Sequence, residues 1–137
     1  DKNVIAQSKN LMQIVDENIR TVTTEGPGSR RFLSPFEVKK GDLRVEPNRI
    51  WWQMKTPVKI MESGILSKEG ALSLAENETN IVNEYIMEIY LDYDSIAELH
   101  LVSEYANPFQ GVYSMAIKNT GTYGPVSKLP IVDIEIK

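Results

Sequence analysis

Apolar residues recur at helical spacing along the first two dozen positions. Val4, Leu11, Val15, Ile19 and Val22 fall at steps of seven, four, four and three. Ile5, Met12 and Ile14 widen the stripe, while Lys2, Lys9, Asp16, Glu17 and Arg20 fall largely outside it. A period near 3.6 predicts an amphipathic helix over residues 1–24 with one face packed on the rest of the domain. Gly26-Pro27-Gly28 is the stop signal. At ~1.5 Å per residue the helix is roughly 35 Å long. Apart from Asp1 and Asn3, no Ser, Thr, Asp or Asn stands where it would cap a first turn. Two readings stay open: an ordinary terminal helix, or the C-terminal part of a longer helix that continues upstream of Asp1.

Beyond Gly28 the period changes to two, and residues 25–137 read as short strands and turns. Arg30 to Val38 opens a strand past Pro35, and Lys39-Lys40-Gly41-Asp42 reads as a hairpin turn into Leu43 and Val45. After the turn at Pro47-Asn48, Arg49 to Thr56 places Ile50, Trp52 and Met54 on one face and Trp51, Gln53 and Lys55 on the other. One tryptophan therefore belongs to the core and the other lies nearer solvent. Glycines at turn spacing divide Thr56 to Leu74 into two short hairpin strands, and the polar stretch Ala75 to Asn83 reads as a loop. Tyr85 to Asp94 alternates Met87, Ile89, Leu91 and Tyr93 with Glu88, Tyr90 and Asp92. Further strands are expected at Glu98 to Val102, Gly111 to Lys118 and Pro130 to Lys137, with Asn119 to Gly124 as a loop. The expected fold is α+β, a single globular domain: one long N-terminal helix on a mostly-β domain of about seven or eight antiparallel strands.

The totals exclude more than they identify. A chain of 137 residues is long enough for one domain with a real core. A net charge of −4 and a pI near 5.1 give no electrostatic case for nucleic acid or for an anionic membrane surface. The absence of cysteine excludes disulfides, thiol catalysis and Cys-based zinc sites. No apolar run approaches the ~20 residues that span a bilayer.

Candidate chemistry is sparse. His100, the only histidine, lies mid-strand between Leu99 and Leu101 and points away from them, with no local Ser and carboxylate partners for a triad. Asp92, Asp94 and Glu98 cluster near one strand end, but calcium takes six to eight oxygens from a defined loop and no such pattern is present. The Glu25 to Ser29 turn follows a helix instead of opening one, so it lacks the helix N-terminus of a phosphate site. The residues therefore assign no catalytic group, metal or cofactor. Asn77-Glu78-Thr79 matches an N-glycosylation acceptor, which requires an exposed Asn77 in an exported protein. Trp51 and Tyr90 are candidates for an exposed aromatic contact, with Tyr105 and Tyr113 as further members.

The order of features resembles a known family. Gln7 to Val22, QSKNLMQIVDENIRTV, runs directly into TTEGPGSRRFLSPFEVKKGDLRVEPNRIWWQMKT. Within it, Gly28, Ser29 and Arg30 form a turn into a strand, and Gly41, Leu43, Val45, Asn48, Ile50 and Trp52 match a G-x-L-x-V…N-x-I-x-W hairpin. With the closing GVYSMAIKNTG and VDIEIK, the chain resembles the soluble part of archaeal type IV pilin-like or flagellin-like proteins made with a class III signal peptide. The resemblance covers roughly the whole chain in order, on turns and strands that are individually unspecific. It implies a processing site and a hydrophobic half-helix preceding Asp1, and a pilin-like fold.

What it implies for function is a non-enzymatic cell-surface subunit of a filament or secretion-type assembly, extracellular and anchored through that preceding segment. Its partners would be copies of itself or related subunits. Val4 and Ile5 are the expected intersubunit face of the helix, and Leu11, Val15, Ile19 and Val22 the face seated on its own sheet. Two other classes compete: a tethered binding module recognising glycans or a surface through exposed aromatics, and a carboxylate-only hydrolase, which needs two carboxyls facing across a cleft at ~5–9.5 Å.

Overall fold

The structure is a computed structural model and describes residues 2–137; expectations placed on Asp1 or upstream of it lie outside the described residues. Helix α1 spans Lys2–Glu25. Its buried face consists of Val4, Ile5, Ser8, Met12, Val15, Asp16, Ile19 and Val22. At 100° per residue these positions fall in one sector, and Leu11 falls at its edge. Leu11 is accordingly only half-buried, and Met12 takes the central place expected for it. Val4 and Ile5, expected to face a neighbouring subunit, are buried against the domain's own core. They sit on the same sector as Val15 and Ile19, so seating the helix on the sheet buries them too.

Asn119 fixes the C-terminal end of α1. Its side-chain amide donates to the Val22 carbonyl at 3.1 Å, and its backbone pairs with Gly28 and Ser29 at 2.9 Å each. This adds a side-chain donor to a carbonyl that the Gly26 N–H reaches at 3.4 Å.

Eight strands follow: β1 (Arg30–Glu46), β2 (Arg49–Thr56), β3 (Ser67–Glu69), β4 (Leu72–Glu78), β5 (Tyr85–Asp92), β6 (Glu98–Ser103), β7 (Phe109–Tyr123) and β8 (Pro130–Ile136). They form one sheet in the order β3-β4-β5-β2-β1-β7-β8-β6. All neighbours are antiparallel except β6 and β8, which run parallel. The α+β architecture is as expected, with that one departure. Because β7 lies between β1 and β8, the chain leaving β6 crosses beyond β8 before returning, and β6 is left on the far edge.

Four expectations about turns, loops and short strands are corrected. Lys39 to Asp42 is not a hairpin turn but a bulged bend inside one long strand, with a register shift between Val38 and Leu43. Gly41 makes the bend possible. It has φ +76, and a side chain there would collide with the Gln53 carbonyl and lie 2.7 Å from Trp52 Nε1. The indole N–H of Trp52 donates to the Lys40 carbonyl at 2.8 Å, which locks the same bend.

Ala75 to Glu78 is strand, not loop, because β4 pairs with β5 up to Glu78–Tyr85. Conversely, Val58 to Leu66 forms an irregular segment in which Ile60 and Met61 pack on the core, and only Ser67–Glu69 pairs as a strand. Asn119 to Tyr123, expected as a loop, continues β7.

The alternation in the central strands holds. Ile50, Trp52 and Met54 are buried opposite Leu91, Ile89 and Met87, and Trp52 is the core tryptophan. The second half of β1 turns toward β6, where Leu99 N–H donates to the Pro47 carbonyl at 2.8 Å. The Asn107 side chain also pairs with the Val45 backbone, accepting from its N–H at 2.9 Å and donating to its carbonyl at 2.8 Å. The sheet thus curls around its core.

Candidate functional site

The sequence nominated one histidine, one acidic cluster, one glycosylation acceptor and one aromatic face, and each has a definite placement. His100 is exposed on β6, as strand alternation requires. Its Nε2 lies 2.6 Å from Glu98 Oε2, and Ser127 Oγ donates to Glu98 Oε1 at 2.8 Å. Gly124 leaves the room for this, since a side chain there would overlap both Glu98 and Ser127. The hydrogen bond from His100, then that from Ser127, holds the Glu98 carboxyl below the usual carboxylate range. The order of the groups decides their chemistry. A nucleophilic triad puts the imidazole between hydroxyl and carboxylate, whereas here the carboxylate stands between imidazole and hydroxyl. The Ser127 hydroxyl is bonded to the carboxylate and not to the imidazole, so the three side chains form a surface hydrogen-bond cluster.

Asp92 and Asp94 are spent on their own turn. Asp92 Oδ1 accepts from Asp94 N–H at 2.8 Å, and Asp94 Oδ1 accepts from Asn48 Nδ2 at 2.9 Å. Among the described residues, no group of three or more His, Cys, Asp or Glu is placed to hold a metal ion.

Asn77 is exposed, near the end of β4, where it stands opposite Ile86. The Thr79 hydroxyl of the same acceptor is engaged: it donates to Glu84 Oε1 at 2.9 Å and accepts from Ile81 N–H at 3.1 Å.

Trp51 and Tyr90 stand opposite one another on the outer face of β2 and β5, and both are half-buried. The Arg49 guanidinium covers them, 4.8 Å from the Trp51 ring centre and 5.9 Å from that of Tyr90, and Arg49 Nε donates to Glu46 Oε1 at 3.1 Å. Cation–π stacking of this kind occupies the ring face that a ligand would use. A second aromatic group is more open. Tyr105 is 55% exposed and meets Tyr113 edge to face at 5.8 Å, and Tyr113 meets the buried Phe109 at 5.6 Å. Beside Tyr105 lies a groove of about 550 Å³ lined by Val102, Glu104, Glu135 and Lys137. A larger one, about 710 Å³, opens at the bend of β1 among Lys40, Asp42, Lys55, Val58 and Gln110.

The polar groups that hold the molecule together were not nominated by the sequence. Asp16 is buried on α1, where Oδ1 accepts from the Tyr93 hydroxyl at 2.8 Å and both carboxylate oxygens accept from Arg20 Nε at 3.0 Å. Burial, followed by the nearby Asp16 charge, pushes the Tyr93 hydroxyl far above its ordinary range. Tyr93 reads in sequence as one more apolar position of its strand. Only the contact across 77 residues reveals its hydroxyl's role. Comparison of the chain with models of protein families, with curated proteins and with solved structures returns no match.

Proposed function

We propose that the chain is a non-enzymatic structural subunit of a cell-surface assembly, extracellular and built to bear load through its N-terminal helix. One observation carries the reading: the helix and sheet are joined as a single mechanical body. Val22 is tied to Asn119 at one end of the helix, Asp16 to Tyr93 in the middle, and Lys9 to Glu69 at 3.0 Å toward the other end. A pull on the helix therefore passes into the sheet at three points instead of peeling the helix away. The resemblance to archaeal pilin-like proteins supports the same conclusion and supplies the class of assembly.

With Val4 and Ile5 committed to the core, contacts with neighbouring subunits fall to the outward face of α1. Ala6, Asn10, Gln13 and Glu17 are exposed there along one line. The reading requires an apolar segment upstream of Lys2 to hold the protein in a membrane or filament core. The test is immunogold labelling of sheared surface filaments with antibodies raised against this domain, alongside membrane fractionation. Labelled filaments or membrane-bound protein are the expected result. Protein found only in the soluble cell interior would sink the reading.

A second reading, a binding module, is favoured by the exposed Tyr105 beside its groove. Its test is glycan-array binding by the wild-type domain and by Tyr105→Ala. A signal lost in the variant would support it, and no wild-type signal would remove it.

A further inference from the structure

Between β2 and β3 the chain crosses the inner side of the sheet as an irregular strap, residues 57–66. It rests on the core through Ile60 and Met61, while Val58, Ile65 and Leu66 remain more than half exposed. At its start the Thr56 hydroxyl accepts from Val58 N–H at 3.2 Å, and beyond that its attachment is concentrated on one residue. Glu76, on the inner face of β4 opposite Met87, is completely buried. Glu76 Oε1 accepts from the backbone N–H of Ile60 at 2.8 Å and of Met61 at 3.4 Å. The Glu76 backbone carbonyl accepts from Gly64 N–H at 2.8 Å, the one backbone–backbone bond between strap and sheet among the described residues. No ion pair reaches this carboxylate among the described residues. On the two sides of the contact, Glu76 Oε2 and Ser63 Oγ are buried without a protein partner.

A buried carboxylate held only by two backbone N–H groups is costly unless the segment that supplies them stays in place. The same arrangement makes the segment dependent on the carboxylate. A strap with one backbone bond, exposed apolar side chains and two unsatisfied polar atoms at its anchor belongs to the low-stability end of a fold.

We propose that residues 57–66 form a latched strap that opens as a unit, with Glu76 as the latch. Opening lifts Ile60 and Met61 from the sheet and uncovers the apolar floor formed by Leu74 and Met87. Both the closed geometry and the site uncovered belong to this chain alone and do not depend on the surface-subunit reading.

Native-state hydrogen exchange on the whole chain tests this. In the wild-type protein, the amides of Ile60, Met61 and Gly64 are expected to exchange together and faster than those of Trp52 and Ile89 in the paired strands beside them. Glu76→Ala is expected to raise strap exchange by roughly 10- to 100-fold, the loss of hydrogen bonds to a charged acceptor, with Trp52 and Ile89 unchanged. Glu76→Gln keeps an acceptor oxygen but loses the charge-assisted part, so a rise of roughly 3- to 10-fold is expected. The gentler variant carries the test if the alanine variant does not fold. Strap amides that exchange no faster than Trp52 and Ile89 in the wild type would overturn the strap. Strap exchange unchanged in a folded Glu76 variant would overturn the latch.

Discussion

The hydroxyl of Tyr93, the residue just after β5, donates a 2.8 Å hydrogen bond to Asp16 Oδ1 on the buried face of α1. Tyr93 is fully buried, and among the described residues this is the only hydrogen bond of its side chain. It reconciles two facts that conflict in isolation: an aspartate on the apolar side of a helix, and a tyrosine in the core.

Replacing that hydroxyl isolates its contribution. Tyr93→Phe keeps the ring and leaves Asp16 with Arg20 alone, and hydrogen bonds to charged groups are worth ~1.5–3 kcal/mol. The variant is expected to lose about that much in urea-unfolding stability. There is also a signature in pH. The folded state holds the Tyr93 proton more tightly than the unfolded state, because ionising it means placing a second negative charge beside Asp16 in the core. The stabilisation is therefore complete below the unfolded value of about 10 and is lost as pH rises above it. Wild-type stability should fall above about pH 10, and Tyr93→Phe should flatten that limb. An unchanged limb in the variant would assign it to other groups.

Asn107 acts as a short stretch of strand for Val45, giving one donor and one acceptor through its side chain. Asn107→Ala leaves the N–H and carbonyl of Val45 without these partners, at a cost of about 2–3 kcal/mol if water does not reach them. Asn107→Asp should cost less than alanine on the acceptor side yet still lose the donor. Thermal unfolding of the pair, with amide exchange at Val45 as the local probe, separates the two bonds.

Gly41 meets two constraints at once, a positive φ and backbone contact with the neighbouring strand. Gly41→Ala should destabilise by about 2–5 kcal/mol, combining ~1–2 kcal/mol of backbone strain with ~1–3 kcal/mol of overpacking. Gly26, also at positive φ, has open space around it. Gly26→Ala should carry the strain alone and cost about 1 kcal/mol. Equal losses at the two positions would show that the contact with Gln53 and Trp52 relaxes freely.

The helix distinguishes folding from assembly. Ile5→Asp places a charge in the core and should cost about 3 kcal/mol or more, so its effect on any assembly would be indirect. Gln13→Asp, on the exposed line, should change domain stability by less than about 0.5 kcal/mol. Circular dichroism melts of the two variants check this before either is used in an assembly assay.

Local sequence by itself determined the helix and its stop at Gly26, and alternation put Ile50, Trp52 and Met54 on one face of their strand and Met87, Ile89, Leu91 and Tyr93 on one face of theirs. These follow from the 3.6- and 2-residue repeats, which a chain carries wherever its partners are. Several elements depended instead on a partner distant in sequence. The polar run at Ala75 to Glu78 is strand because β5 pairs with it, and Asn119 is buried where its side chain bonds the end of the helix. The parallel pairing of β6 with β8 has no local signature, and at Gly41 the sequence signalled a turn but only pairing with β2 and β7 made it a bend within one strand. The same division holds for the polar groups. His100 and Asn77 were legible as outward-facing because alternation fixes a side, but Asp16, Glu76 and Asn107 read as surface polar residues. Only the tertiary structure decided that these three lie where burial, or pairing with a distant backbone, gives each hydrogen bond its weight.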